Sequence, residues 1–447
     1  MVPYSLHGRD LKRQFKYFAP SLRVGRGLPS RVDPALCAKC KGSRKLCGRP
    51  VCPIAKRIFE GLKVASLLGR SELQAATPPS ALVGEYGYPV VRLGPIAAPV
   101  QGGNAAKYED YKGWWGELGL EDIIALRAST VYSRFELRVR EARERGNKLL
   151  EATREAALSV KPVDAEFRYA KPPHPRLTFD GIITPVGLRG MLKDLKVVEN
   201  PVVPRRVDQL VGDWDAKARD AAFELYRAGA DNYYISRLLS LGLLGEKARR
   251  RLVPTRWAIT AVDKMLGDML LEKVKGSPEY RALEVRYAEY IGNRYLLVLA
   301  PGPWTFELLE VWLPRSVWVR STEPYISVNY ELWDGKARNP EVDGGYYAIR
   351  LPVLEHLSKV GRQATVVAVR EVTPSYYAPV GSWQIRESVR HALSSPPAAI
   401  PRDAIELLGE ISSRLETSVD KLLARSWVLK RLVRPDAKLD AFLGELG

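Results

Sequence analysis

The sequence predicts an α+β protein, with a mixed or antiparallel sheet packed against helices. Residues 284–372 hold several short runs rich in β-branched and aromatic residues, which are typical of strands. Segments on both sides of this region carry apolar residues at helical spacing. The 447 residues are 46% hydrophobic, which is enough for a large core and favours two or three domains.

Composition and motifs divide the chain into five segments. A small basic four-cysteine metal knuckle and a flexible tail are expected to flank the α+β body. In order, the segments are a basic four-cysteine module (1–70), a Gly/Pro-rich strand–turn unit with charged helices (71–170), the α+β main domain (171–400), a C-terminal helical segment (401–434) and the tail (435–447).

All four cysteines fall within one run of sixteen residues, at Cys37, Cys40, Cys47 and Cys52. Cysteines used for packing would be scattered, whereas a cation with four soft ligands needs them close together. The spacing therefore predicts a metal site. Zinc is favoured, an iron–sulfur cluster also takes four cysteines, and two short-loop disulfides are the non-metal alternative.

The surroundings of the cysteines are strongly basic. Residues 1–60 contain fourteen Lys or Arg and three acidic residues, so more than half of the chain's net charge of +18 lies there. A localised excess of this kind favours phosphate contacts over a merely solvated surface. The candidate nucleic-acid-binding residues are Lys41, Arg44, Lys45, Arg49, Lys56 and Arg57.

Membrane insertion and secretion are not expected. No stretch approaches the roughly 18 consecutive apolar residues of a membrane span, and the first residues lack the apolar core of a signal peptide. We therefore predict a cytoplasmic protein.

The first half of the body should alternate between short strands and helices. Residues 54–68 have helical spacing, and 77–104 should form strands joined by tight turns rather than a phosphate-binding loop. From 120 to 160 the dense Arg and Glu favour a long solvated helix interrupted near Gly146, with pairs such as Glu136 and Arg140. Prolines at 162–185 mark a junction.

Residues 213–244 read as amphipathic helix, and Pro254 with Thr255 should begin another. On that helix, Arg256 and Trp257 have two interpretations of similar weight: a base-stacking and phosphate-binding pair, or a core tryptophan beside an arginine that pairs with an acid. Residues 284–300 predict a hairpin that turns at Gly292 and Asn293.

An enzymatic alternative needs acidic or basic side chains at a shared point. Candidate catalytic residues are Arg256, Asp263, Arg386 and Glu387, near Trp257 and Trp383, because a positioned acid beside an arginine can act on a phosphodiester. Carboxylates for a divalent metal could come from Glu307, Glu310, Glu331, Asp334, Glu341 and Asp343, although their spacing is not diagnostic.

The C-terminal region predicts an amphipathic helix over 404–432, broken at Gly409 or Thr417, and then a short apolar motif. Leu439, Phe442 and Leu443 lie at i, i+3 and i+4, so one helical turn places them on one face. Such a face suits a partner's pocket or the protein's own surface.

Several stretches together resemble the archaeal NreA family of DNA repair proteins. The matching runs, in order, are the Cys37 to Cys52 knuckle, GEYGYPVVRLGP, LVPTRWAITAVDK, YIGNRYLLVLAPGPWTFELLEVW, GGYYAIRLPVLEHL, GRQATVVAVREV and APVGSWQIRESVR. The resemblance implies a role in DNA damage repair, a four-cysteine zinc finger, and a C-terminal peptide at Leu439, Phe442 and Leu443 that binds the PCNA sliding clamp. Asp436 stands where the clamp-binding pattern usually has glutamine, and Leu443 where a second aromatic is common.

These observations lead to one expected function and one alternative. The expected function is a DNA repair factor that binds DNA through the basic metal module and is tethered to PCNA by its tail. The alternative is a nuclease or base-processing enzyme acting on DNA or RNA, and an RNA-processing protein would use the same charges.

Overall fold

The computed structural model describes residues 71–144, 146–173, 187–316, 319, 321–338 and 344–433, together with Cys40, Cys52 and Ala55. These residues form two compact units. The first unit comprises the described parts of 71–269 with 377–387, and the second unit those of 270–376 with 388–433. Each unit combines helices with a mixed sheet, so the predicted α+β class is confirmed. The knuckle and the tail lie largely outside the described residues.

The first unit is built on a six-stranded sheet of order β1-β5-β6-β4-β3-β2. Its strands are β1 Glu72–Thr77, β2 Ala81–Val83, β3 Val90–Ala97, β4 Val131–Arg138, β5 Val163–Tyr169 and β6 Leu188–Val197. All neighbouring pairs are antiparallel except β4 with β6, which is parallel. Strands β2 and β3 therefore form a hairpin at one edge, as the Gly/Pro-rich run predicted.

Helices occupy most of the rest of the first unit. Helix Lys148–Leu158 packs on β3 and β6 and buries Leu150, Ala156 and Ala157. The amphipathic stretch at 213–244 is helical as predicted, and Gly229 and Gly242 end its segments with positive φ. The helices are Tyr111–Trp114, Leu120–Ala128, Lys148–Leu158, Arg205–Gly212, Ala218–Arg227, Asn232–Ser240 and Thr255–Lys275, the last beginning where Pro254 predicted.

One prediction for this unit was wrong. Residues 131–138 form strand β4 instead of continuing a long charged helix. The cause is alternation with a period of two: Val131, Phe135 and Leu137 are buried, while Glu136 is exposed. Glu136 therefore pairs with Arg92 across the neighbouring strand, at 2.7 Å, and not with Arg140.

The second unit is built on a five-stranded sheet of order β10-β9-β11-β8-β7. Its strands are β7 Glu284–Tyr290, β8 Asn293–Ala300, β9 Thr305–Trp312, β10 Tyr325–Glu331 and β11 Thr365–Val372. Strand β11 is parallel to β9 and antiparallel to β8. The predicted β7–β8 hairpin is confirmed, but its turn is one residue earlier than predicted: Ile291 and Gly292, at φ 41° and 76°, form the turn, and Asn293 begins β8. Gly292 is needed there because a Cβ would approach the Tyr376 amide to 2.6 Å.

The second unit also contains the C-terminal helices. The predicted helix over 404–432 is three shorter ones. The first break spans residues 415–418 and confirms the predicted break at Thr417, whereas Gly409 lies inside a helix, and a second break falls at Ser426 and Trp427. Leu407, Ile411, Leu422 and Leu429 of these helices pack into the core beside Val298 and Val369 of the sheet. The helices of this unit are Gly344–Val360, the end of Trp383–Ser394, Ala404–Arg414, Val419–Arg425 and Val428–Val433.

Candidate nucleic-acid interface

The turn that joins β2 to β3 is held in a single conformation by main-chain hydrogen bonds. The Gly84 amide donates to the Arg92 carbonyl at 2.8 Å, and the Val90 amide donates to the Gly87 carbonyl at 3.0 Å. Gly87 has φ +92°, and a Cβ there would lie 2.9 Å from the Val90 carbonyl oxygen, so glycine is required. The sequence GEYGYP therefore specifies the shape of this turn.

This turn is fastened to the start of helix Thr255–Lys275. The Val83 amide donates to Thr255 Oγ1 at 2.8 Å. Glu85 then accepts a hydrogen bond from the Trp257 indole nitrogen at 3.2 Å, and its other oxygen lies 3.6 Å from an Arg256 nitrogen. One carboxylate therefore holds both residues that the sequence singled out on this helix. The sequence left two interpretations of Arg256 and Trp257 open. The arginine does pair with an acid, as the second interpretation predicted, but this ion pair is exposed.

Aromatic side chains cluster at the same place. The Tyr88 and Trp257 ring centroids are 5.2 Å apart, and Tyr86 is 86% exposed. Of the large apolar side chains exposed in the part of the chain that the structure describes, three lie within positions 86–90: Tyr86, Tyr88 and Val90. We call Tyr86, Tyr88 and Trp257 the aromatic patch.

Three arginines are exposed on the elements that carry the aromatic patch or pair with them. Arg256 keeps 59% of its side chain exposed, and Arg92 keeps 44%. Arg138 is exposed on β4, directly opposite Val90 in the strand register. The patch thus combines flat apolar surfaces with guanidinium groups, the two kinds of group that bind bases and phosphates.

Sequence reasoning identified Arg256 and Trp257 but missed Glu85, Tyr86 and Tyr88. The available signal was two tyrosines spaced two apart within a Gly/Pro turn, GEYGYP. Large aromatic residues have no local role in such a turn, and their presence indicates either packing or recognition.

Asp263 and Arg386 form a buried ion pair elsewhere in the first unit. Arg386 Nε donates to both carboxylate oxygens of Asp263, at 3.0 and 2.9 Å, and its Nη2 adds a contact of 2.5 Å. Both side chains are at most 1% exposed, and the Asn232 amide also donates to Asp263 at 3.2 Å. Two of the four catalytic candidates therefore meet, but in the interior.

Of the other two candidates, Glu387 is linked to the pair through Tyr233, whose ring centre lies 5.5 Å from the Arg386 guanidinium, and Arg256 lies apart. Glu387 is 7% exposed and accepts a hydrogen bond from the Tyr233 hydroxyl at 2.6 Å. Arg256 precedes Asp263 by seven residues on one helix, a rise of about 10 Å, and it faces Glu85. Trp383 is buried and stacks on Tyr111 with a centroid separation of 5.7 Å. Three of the four candidates therefore lie together in the interior, and Arg256 lies at the surface.

The carboxylates considered for a divalent metal are also engaged in structural contacts. Glu307 accepts from the Ser426 hydroxyl and from the amides of Trp427, Val428 and Leu429 at 2.6 to 3.3 Å, and burial raises its pKa. It thereby caps helix Val428–Val433.

Two further acids of this set are buried beside arginines, and one is at the surface. Glu310 pairs with Arg370, and Glu331 accepts from Arg350 Nε at 2.9 Å. Asp334 pairs with Arg338 at the surface, and this arginine lowers its pKa. Glu341 and Asp343 lie outside the described residues.

The predicted metal ligands and phosphate contacts fall mostly outside the described residues. Of the four cysteines, Cys40 is buried and Cys52 half-buried, while Cys37 and Cys47 are outside the described set. The Ala55 amide lies 3.5 Å from Cys52 Sγ and donates to it. Also outside are the basic residues Lys41, Arg44, Lys45, Arg49, Lys56 and Arg57, and the tail residues Leu439, Phe442 and Leu443.

The described residues hold neither a cluster of metal ligands nor a membrane-spanning helix. No three His, Cys, Asp or Glu side chains within the described ranges converge to hold a metal ion. Every helix in the same ranges is too short or too polar to cross a bilayer.

The comparisons with known proteins cover almost the whole chain. The family model "Archaeal Nre, N-terminal" matches residues 46–319, and "Archaeal Nre, C-terminal" matches residues 331–442. The chain is 35% identical over 415 residues to "DNA repair protein NreA" of Archaeoglobus fulgidus, covering 91% of this chain and 98% of the relative.

Two further relatives are also named for DNA repair. The chain is 34% identical to "DNA repair protein NreB" of Archaeoglobus fulgidus, covering 79% of this chain and 87% of the relative. It is 38% identical to "DNA repair protein NreA" of Haloferax volcanii, covering 73% of this chain and 79% of the relative. No solved structure matches the chain.

Proposed function

This chain belongs to the archaeal Nre family, and from that membership we propose that it is a DNA repair factor that binds DNA. The observation that carries the proposal is the similarity, along nearly the full length, to proteins named for DNA repair. The high net charge of +18 supports it, because a basic surface attracts and retains a polyanion.

We propose that the basic four-cysteine module makes the DNA contact. Four thiolates closing around one zinc ion would form a rigid knuckle that presents Lys41, Arg44, Lys45 and Arg49 to the phosphate backbone. The amide of Ala55 suits this role for Cys52, because an N–H donated to sulfur stabilises the thiolate that a metal requires. An iron–sulfur cluster would use the same ligands.

We also propose that the tail tethers the protein to the PCNA sliding clamp. Leu439, Phe442 and Leu443 have the i, i+3, i+4 spacing of a one-turn hydrophobic plug. A tether of this kind raises the local concentration of the repair factor at the clamp. Asp436 in place of glutamine removes a polar anchor, so modest affinity is expected.

Salt-dependent DNA binding tests the proposal. For the full chain, we expect log Kobs to fall linearly with log salt, and Lys45→Ala with Arg49→Ala to weaken binding and lower the slope by about 0.9 per lost contact. The matched control is Lys273→Ala with Arg281→Ala, which removes two exposed basic residues of the body. Binding insensitive to salt, or equal loss in both double variants, would overturn the phosphate-contact assignment.

A further inference from the structure

We infer that the aromatic patch of Tyr86, Tyr88 and Trp257 is a stacking surface for unpaired nucleobases of single-stranded nucleic acid. This inference rests on the proposed function and assigns it a second contact, which is separate from the cysteine module. Its physical basis is the exposure, the rigidity and the charge of one turn on the first unit.

The exposure of the patch needs an explanation. A tyrosine ring that is 86% exposed gains almost no hydrophobic stabilisation from folding, and Tyr88 and Val90 beside it are each 39% exposed. Single exposed apolar residues are ordinary, but three within five positions, beside the Trp257 ring, indicate an interaction site.

The patch is also preorganised. Its turn is fixed on one side by the Val139 amide, which donates to the Pro89 carbonyl at 2.9 Å, and on the other by the bond from Val83 to Thr255. Glu85 additionally orients the indole of Trp257. Because the backbone of the turn and the Trp257 indole are already fixed, ligand binding costs less conformational freedom, and more of the stacking energy is realised as affinity.

The charges around the patch identify the class of ligand. Arg92 and Arg138 are exposed on the strands that follow and flank the turn, and Arg256 is next to Trp257 in the chain. Arg92 and Arg256 each contact a carboxylate, Glu136 and Glu85, which a phosphate would replace as their partner. An arginine near an aromatic plane matches a base with its neighbouring phosphate. Bases are accessible for stacking only where a strand is unpaired, because in a duplex their faces are covered by neighbouring pairs. Single strands and unpaired gaps, which occur during repair, therefore fit this surface better than intact duplex.

Fluorescence anisotropy of a labelled oligothymidine with the full-length protein tests the inference. We expect Tyr86→Ala to weaken binding about 5- to 150-fold, the range for one lost base–aromatic stack, and Tyr86→Phe to retain it. Because Tyr86 is almost fully exposed, its removal should leave the melting temperature unchanged. The matched control is Trp333→Ala, another exposed aromatic, at 46%, which should bind as the wild type does.

The outcomes separate this inference from the proposed function. Unchanged oligothymidine affinity in Tyr86→Ala, or equal losses in Tyr86→Ala and Trp333→Ala, would overturn the stacking surface, and a protein partner would then be the remaining occupant. If duplex binding still depends on Lys45 and Arg49 in that case, the proposed function stands. Photocrosslinking with an iodouracil-containing strand supplies a second readout: adducts at Tyr86 or Tyr88 support the inference, and adducts confined to other residues contradict it.

Discussion

Arg386 donates hydrogen bonds to the Asp263 carboxylate from two of its nitrogens, and neither side chain is more than 1% exposed. The guanidinium also donates to Ser382 Oγ at 3.1 Å and lies 5.5 Å from the centre of the Tyr233 ring. A general acid or base must reach its substrate, whereas these two groups satisfy each other in the interior. The pair is therefore a structural element of the first unit.

Removing one member of this pair should destabilise the protein strongly. Asp263→Ala leaves Arg386 charged in the interior without its carboxylate, and we expect a loss of about 3–5 kcal/mol in the free energy of unfolding, measured by urea titration. Asp268→Ala on the same helix is the control, since its ion pair with Lys264 is partly exposed and the substitution should cost about 1 kcal/mol or less. Equal, small losses in the two variants would contradict the structural role.

Glu331 should behave in the same way in the second unit. It accepts hydrogen bonds from Trp304 Nε1 at 2.8 Å, the Tyr346 hydroxyl at 3.0 Å and Arg350 Nε at 2.9 Å. Glu331→Ala should cost about 3–5 kcal/mol, because it removes the counter-charge of a buried arginine. Asp334→Ala, which breaks the surface pair with Arg338, should cost about 1 kcal/mol or less.

The variant Asp334→Ala also tests the enzymatic alternative. If Asp334 held a divalent metal for a nuclease, Asp334→Ala would abolish cleavage of DNA while leaving stability intact. We expect this variant and the wild type to give the same result in a gel assay of DNA cleavage with Mg²⁺ and Mn²⁺ across a range of concentrations. Loss of a cleavage activity that the wild type possesses would instead favour the enzyme.

Local signals in the sequence predicted much of the fold. Alternation and turn chemistry located β3, the β7–β8 hairpin and β11, and Pro254 located the start of a long helix. Strand β4 was missed because Arg and Glu at four-residue offsets satisfy a helical pattern as well as a strand pattern. Only the position of Arg92 on the neighbouring strand decides between them, and that pairing is not local.

The site was less predictable than the fold. Trp257 and Arg256 were identified from residue type, but the partner that holds them, Glu85, is 172 residues away in sequence. Asp263 and Arg386 are separated by 123 residues, so no sequence window reveals that they neutralise each other. Residue type indicates what a side chain can do, and only the tertiary contacts show whether it is already engaged.

The half-buried side chain of His356 should make stability fall in mild acid. Burial, together with the nearby charges of Arg286 and Lys359, lowers the pKa of His356 from 6.5 to about 4. The Glu284 carboxylate acts in the opposite direction and raises this pKa. The unfolded chain therefore binds more protons than the folded chain between these values. Stability that is present above pH 6.5 is lost as the pH falls toward 4, by at most about 3 kcal/mol.

The comparison variant is His356→Gln, which does not titrate and can keep a hydrogen bond to the Tyr280 hydroxyl, 3.4 Å from Nε2 in the wild type. Urea midpoints at several pH values should show the wild type losing stability relative to this variant as the pH is lowered. Parallel curves for the two proteins would show that His356 titrates normally.

Metal removal should unfold the cysteine module without unfolding the body. Elemental analysis of purified protein should find about one zinc, or the iron of a cluster, per chain, and Cys37→Ser with Cys47→Ser should abolish it. Because the two sheets have their own cores, the main thermal transition should persist in that variant, whereas DNA affinity should fall as in Lys45→Ala with Arg49→Ala. Purified protein that contains neither zinc nor iron would contradict the predicted metal site.

The tail offers both a loss and a gain of clamp affinity. Phe442→Ala should weaken binding to PCNA about 10- to 150-fold, because burying a phenylalanine contributes about 1.5–3 kcal/mol. Asp436→Gln should strengthen it about 2- to 10-fold, since it supplies the polar anchor that the sequence lacks and one hydrogen bond contributes about 0.5–1.5 kcal/mol. Calorimetry with the full chain measures both. The opposite signs exclude a general effect on folding, and unchanged binding in Phe442→Ala would show that the tail packs elsewhere.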